Sequence, residues 1–186
     1  MGALDVTDTL ICLDGAMGTV LQQRGLPAGG QPELLNLTRP ELLEEIHREY
    51  IAAGSQIIYA NTFGANARKL APTGHGAEEV VTQAVRIARK AADGTETLVA
   101  VDMGPLGELL EPMGSLSFEE AYNLFREVAM AGARAGAELA VIETMTDLYE
   151  AKAALLAVKE NTDRPVLVPL SFATGGRRFT GCTMPS

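Results

Sequence analysis

AGSQIIYANT, residues Ala53 to Thr62, reads as a helix end, a glycine, a short extended run and a polar tip. The pattern returns at AGAELAVIET, residues Ala135 to Thr144, as A-G-small-[QE]-[IL]-x-[YV]-x-[NE]-T. The copies lie about 82 residues apart, the length of two strand-helix units. A duplicated quarter of a (β/α)8 barrel has that spacing. Convergent α/β grammar without duplication is the other reading of the repeat.

Outward from these copies, extended apolar runs alternate with segments of helical period. The runs are Leu10 to Leu13, Ile57 to Ala60, Leu98 to Val101, Leu139 to Ile142 and Val166 to Leu170. Between them, Leu42, Leu43, Ile46 and Tyr50 share one helical face that stops at Gly54. A second helix is expected over Ala77 to Ala92, and a third presents Phe118, Tyr122, Phe125 and Val128 before the small residues Ala131, Gly132 and Ala135. Start signals stand at Thr38 with Glu41, Ser117 with Glu120 and Asp147 with Glu150, each with the spacing of a capping box. Parallel strands need crossover helices, so the sequence predicts an α/β fold: a partial TIM barrel of about five parallel strands and four helices. Residues 1–186 are expected to form one domain.

The totals narrow the function. With 47% hydrophobic and 21% charged residues, the chain reads as globular rather than disordered. No apolar run reaches the ~20 residues that cross a bilayer, and the acidic start lacks a basic leader region, so a cytoplasmic address is expected. Fifteen basic against 24 acidic residues give a net charge of −9, which disfavours nucleic acid and anionic membranes as partners. A small molecule fits better. Two cysteines, Cys12 and Cys182, are too few for a disulfide framework or a four-ligand zinc site. Cys12, within the first strand, is expected to be a small buried residue, and His75 to be solvated in its turn.

Each extended run ends on a polar residue: Asp14, Asn61, Asp102, Glu143 and Ser171. Parallel α/β folds bring these ends to one face, where active sites lie. Asp and Asn also end strands simply by favouring turns, and Gly104-Pro105 after Asp102 is such a turn. The stretch LDGAMG (Leu13 to Gly18) couples an acid to exposed amides. Asp14 and Glu143 would suit an ammonium group, while amides across Gly15, Ala16 and Met17 at a helix start would suit a carboxylate. Glycine there keeps the amides open to a ligand. Together these devices recognise a free amino acid.

LDGAMGT, PELLNLTRPELLEEIHREYIAAGSQIIYANTFGAN, DMGPLGELLEPMGSLSFEEAY, IETMTD and SFATGGRRFTG together resemble the homocysteine S-methyltransferase family, in particular its zinc-dependent homocysteine-binding barrel of the cobalamin-dependent type. The resemblance runs from about Leu10 to Gly181. It implies a barrel that binds homocysteine and passes a methyl group to its thiol, giving methionine. The amino group would be held by Asp14 and Glu143 and the carboxylate by the backbone of Gly15, Ala16 and Met17, with Asn61 and Thr62 shaping the pocket. It further implies zinc activation of the thiol and a donor such as methylcobalamin, a betaine or a sulfonium.

The sequence departs from the family in one respect. The zinc-binding cysteines of such enzymes lie at the ends of strands six and eight, the last two adjacent, whereas this sequence reads as five strands and contains no Cys-Cys pair. No metal ligand or catalytic residue is assigned from the residues present. An incomplete barrel would leave open strand edges and bare interior apolar residues, so pairing or element exchange with a second copy, association with a complementing chain, or membership of a longer polypeptide is expected. Three functions follow: a methyltransferase module completed by the zinc strands, a non-catalytic half-barrel serving amino-acid binding or oligomerisation, and an open nucleotide-binding fold. The last lacks its G-x-G-x-x-G after strand one.

Overall fold

The computed structural model describes residues 10–170. Four strands, β1 (Ile57–Tyr59), β2 (Leu98–Met103), β3 (Leu139–Ile142) and β4 (Val166–Leu167), form one sheet in chain order, and each neighbouring pair is parallel. Seven α-helices accompany them: α1 (Met17–Gln23), α2 (Leu35–Thr38), α3 (Pro40–Ala52), α4 (Ala67–Leu70), α5 (Ala77–Ala91), α6 (Phe118–Ala135) and α7 (Leu148–Asn161). The longer ones, α3, α5, α6 and α7, are the crossover helices that the alternating pattern requires. The partial-barrel expectation holds.

The strands divide their side chains between two faces, as the period of two demands. Ile58, Val99, Val101, Met103, Ala140 and Ile142 belong to the core formed with α5, α6 and α7. Ile57, Ala100, Leu139 and Val141 form a separate cluster on the opposite face. Exposure of these interior residues was expected for a partial barrel; they are instead at most 1% exposed. Ile11, Tyr59, Leu98 and Leu167 pack against that inner cluster and help close it.

The start signals are used unevenly. Ser117 and Glu120 form the complete capping box of α6. Asp147 caps α7 by accepting from the Tyr149 amide, but Glu150 does not fold back on its own helix. Its buried carboxylate accepts from the Leu106 amide at 2.7 Å. Thr38 does not cap α3: residues 35–38 form a helical turn of their own, and its hydroxyl donates to the Leu34 carbonyl. Pro40 then opens α3, where its missing N–H is not needed.

Two extended runs are shorter than the sequence suggests. Of Leu10 to Leu13, only Leu13 forms a bridge, parallel to Ile57. The Cys12 amide is bonded to the Gln56 side chain rather than to a neighbouring backbone, and Leu10 is 96% exposed. Cys12 itself is exposed rather than buried, because this segment lies at the sheet margin. At the other margin the strand within Val166 to Leu170 covers only Val166–Leu167, and Pro169 beyond it has no amide to donate. Ser171 and Cys182 lie outside the described residues.

Candidate active site

The C-terminal ends of the strands surround a cavity of about 290 Å3. Asp14, Gly15, Ala16, Met17, Asn61, Thr62 and Glu143 all line it, joined by Glu33, Tyr59, Phe63, Asp102 and Thr144. Strand register explains the convergence. Tyr59 pairs with Ala100, and Met103 with Ile142, so the residues just beyond each strand step round one rim.

Asp14 is fixed by an amide. Its Oδ2 accepts from the Tyr59 N–H at 2.8 Å, while its own N–H donates to the Ile57 carbonyl. Its Oδ1 is buried without a hydrogen-bond partner. Burial pushes its carboxyl up to about 7, opposed by the Tyr59 amide and reinforced by the charge of Glu143. Glu143 is half-buried, anchored by its amide to the Met103 carbonyl, and burial raises its carboxyl as well. Thr144 follows with φ of 59°, a conformation uncommon outside glycine, and turns the chain across the cavity mouth.

Thr62 and Asn61 serve the wall rather than the interior. The Thr62 hydroxyl donates to the Asp102 carbonyl at 2.8 Å and accepts from the Asp102 amide at 2.9 Å, which ties the chain beyond the end of β1 to β2. Asn61 donates to the Pro32 carbonyl and to Asn36 Oδ1, and Asn36 donates back to the Asn61 carbonyl. These bonds bring the segment containing Glu33 over the cavity. Glu33 accepts from the Gly64 amide at 2.7 Å.

The glycines have packing reasons that differ from the expected one. A Cβ on Gly15 would meet the Tyr50 ring at 3.0 Å, and one on Gly104 would meet the Phe63 ring at 2.4 Å. A side chain at Gly15 would thus press on the end of the Tyr50 ring, which would have to shift by a few tenths of an ångström. Gly104 lets Phe63 lie flat as a cavity wall.

Asp102, Glu33 and Tyr59 complete the site. Asp102 is 6% exposed, and its Oδ1 also lacks a partner. Burial first, then the charges of Glu143, Asp14 and Glu33, hold its carboxyl well above the usual carboxylate range. The Tyr59 phenol is pushed up to about 12 by burial and by Glu143, Asp102 and Asp14. The position of Asp102 after its extended run marked it in the sequence. Glu33 carried no such signal, since only the Asn36–Asn61 pairing brings its loop over the rim.

Among the described residues, four carboxyl groups and no basic side chain line the cavity. Such a site favours a cation, because an ammonium group lowers the mutual repulsion and supplies donors for unpartnered oxygens. Among the described residues no group of three or more His, Cys, Asp or Glu is placed to hold a metal ion. Zinc therefore does not fit these residues. A larger, more open groove beside α6, lined by Arg68, Glu120, Arg126 and Arg134 among others, contains none of the unpartnered buried atoms that mark the rim cavity.

A parallel α/β sheet with an acid-lined cavity at its strand ends defines the class as a barrel-type α/β domain. More particularly, the homocysteine S-methyltransferase family model matches residues 11–185, and the chain belongs to that family. It is similar to methionine synthase of Mycobacterium leprae, with 34% identity over 90% of this chain and 15% of that protein. Methionine synthase of Mycobacterium tuberculosis is 33% identical over 96% of this chain and 16% of the relative. The chain thus spans about one sixth of the length of these relatives. The fold is that of the homocysteine methyltransferase MmuM from Escherichia coli: its oxidized form superposes with a TM-score of 0.82 and 24% identity, over 94% of this chain and 66% of that one. The metallated form gives 0.80 and 24%, over 95% and 68%. No helix among the described residues is long and apolar enough to cross a membrane.

Proposed function

We propose that this chain is the homocysteine-binding part of an S-methyltransferase, holding homocysteine while a methyl group is transferred to its sulfur to give methionine. The observation that carries the reading is the joint placement of Asp14, Glu143 and the backbone of Gly15, Ala16 and Met17 around one cavity that has no basic side chain among the described residues. Asp14 and Glu143 take the ammonium group, and the amides opening α1 take the carboxylate. Asn61 and Thr62 hold the wall in register. In the transfer, an S–CH3 bond forms, the donor–CH3 bond breaks and the thiol proton leaves to solvent.

A free thiol, with pKa ~8.5, is only a few per cent thiolate at neutral pH, so rapid transfer needs an activating group. In the whole enzyme that group would be zinc, and the donor a methylcobalamin, as the family resemblance implies; the metallated form of MmuM supports a metal, and the similar methionine synthases support methionine as the product. No step is assigned to a metal on the residues described. A second reading, an amino-acid-binding or oligomerisation module without chemistry, is favoured by the lack of a Cys-Cys pair in the sequence. On either reading, residues 1–186 form one domain in the cytoplasm, where thiols stay reduced, and its further strands belong to a second copy, a complementing chain or a longer polypeptide.

Calorimetric titration of the chain with homocysteine tests the proposal. Glu143→Gln should weaken binding at least tenfold, consistent with loss of a charge-assisted hydrogen bond of about 1.5–3 kcal/mol. Unchanged affinity removes Glu143 from the site.

A further inference from the structure

The fold leaves the buried Asp102 side chain incompletely satisfied: the Met103 amide acts on its carboxyl, but Oδ1 has no hydrogen-bond partner. The Thr62 hydroxyl engages only its backbone, the carboxyl Oδ1 is inaccessible to solvent and unpartnered, and the residue lines the same cavity as Asp14. An unpartnered carboxyl oxygen at 6% exposure is costly unless a ligand satisfies it. Asp14 Oδ1 is in the same condition. The two belong to different strand ends, and Glu143 follows the next strand round the rim, so three acids approach the cavity from three successive directions.

We propose that Asp102 is a third acceptor for the ligand's ammonium group, so that Asp14, Asp102 and Glu143 together select a primary ammonium, with its three N–H donors, over N-methylated analogues. This rests on the proposed amino-acid reading of the cavity. It adds a specificity-determining residue in a position that a turn-forming role for the aspartate would leave idle. A primary ammonium can direct one N–H to each carboxyl group. Each N-methyl group removes a donor and leaves one buried oxygen without a partner, which sites built around hydrogen bonds reject strongly.

The electrostatics agree with this arrangement. Burial and the neighbouring acids hold the Asp102 carboxyl well above the usual carboxylate range, which disfavours an unpaired charge there. An ammonium placed beside the carboxyl favours its anionic form and so shifts it toward proton release. Binding should therefore expel protons.

The experiment uses the intact chain, with homocysteine, N,N-dimethylhomocysteine and the desamino analogue 4-mercaptobutanoate as probes, titrated calorimetrically at pH 6 in buffers of different ionisation enthalpy. The unsubstituted chain should bind homocysteine at least tenfold more tightly than either analogue and release protons on binding. Asp102→Asn, which keeps the side-chain shape, should cut both the preference and the proton release while far-ultraviolet circular dichroism stays unchanged. Homocysteine binding with equal preference and equal proton release in Asp102→Asn overturns the role of Asp102 and leaves the amino-acid reading standing. Failure of the unsubstituted chain to bind homocysteine overturns both. If Asp102→Asn does not fold, the analogue series on the unsubstituted chain decides: equal affinity for homocysteine and its dimethyl analogue refutes the three-donor selection.

Discussion

His47 shows how a single residue ties stability to pH. It lies on the buried face of α3 with Leu43 and Ile46, is 1% exposed, and neither ring nitrogen has a partner. Burial pushes its imidazole down to about 4 from 6.5. Between those values the unfolded chain binds the proton and the folded chain does not, so stability falls as pH drops through about 6.5 toward 4. At pH 5 this amounts to about 2 kcal/mol. His47→Leu should therefore raise the melting temperature more at pH 5 than at pH 7.5; an equal change at both values refutes neutral burial of the ring. Asp14 acts with the opposite sign. Its raised value means that the folded chain keeps a proton the unfolded chain has lost, so its contribution fades as pH rises from about 4 through 7. Comparison of each variant with its parent at the same pH separates the two. His47 stands four residues after Leu43 and three before Tyr50, so helical spacing puts it on their face although Glu45, Arg48 and Glu49 around it are polar.

At the scale of elements, the contact between α6 and β2 depends on a missing side chain. A Cβ on Gly132 would stand 2.7 Å from Val101 Cβ, a stiff β-branched residue of the central sheet. Gly132→Ala gains up to ~1 kcal/mol of helix propensity but must displace the strand or the helix, at a typical overpacking cost of ~1–3 kcal/mol. The variant should be destabilised in urea denaturation, and a stabilised variant contradicts the close approach. The sequence showed the small residues Ala131, Gly132 and Ala135 without showing what they approach. Elements with strong local signals were legible: α5 ends within a residue of its expected bound, and α6 starts at its capping box. The margins were not. Leu10 to Leu13 has strand composition, yet a ladder needs a partner's backbone groups, and there the Gln56 side chain takes the place of one. The rim was legible because the period of two puts residues 57, 59, 98, 100 and 102 on one face, whereas Glu33 reaches it only through a tertiary bond between two asparagines.

For the whole molecule, the order β1-β2-β3-β4 leaves β4 with a described strand on one side only, and the Leu13 bridge forms the opposite margin. Parallel edges of this kind invite pairing with another chain. Native mass spectrometry at micromolar concentration should find species heavier than 19.7 kDa; a monomer that unfolds in one cooperative transition argues against an edge in need of a partner. The inner apolar cluster is already covered, so any such association would be made by backbone groups at the margins more than by loose hydrophobic surface.

Cys12 stands exposed on the first of these margins, next to the carboxylate that opens the cavity. Its reaction with iodoacetamide, followed by peptide mapping, turns that location into a clock: a strand laid along the margin slows alkylation, and a bare margin leaves it as fast as in a short peptide.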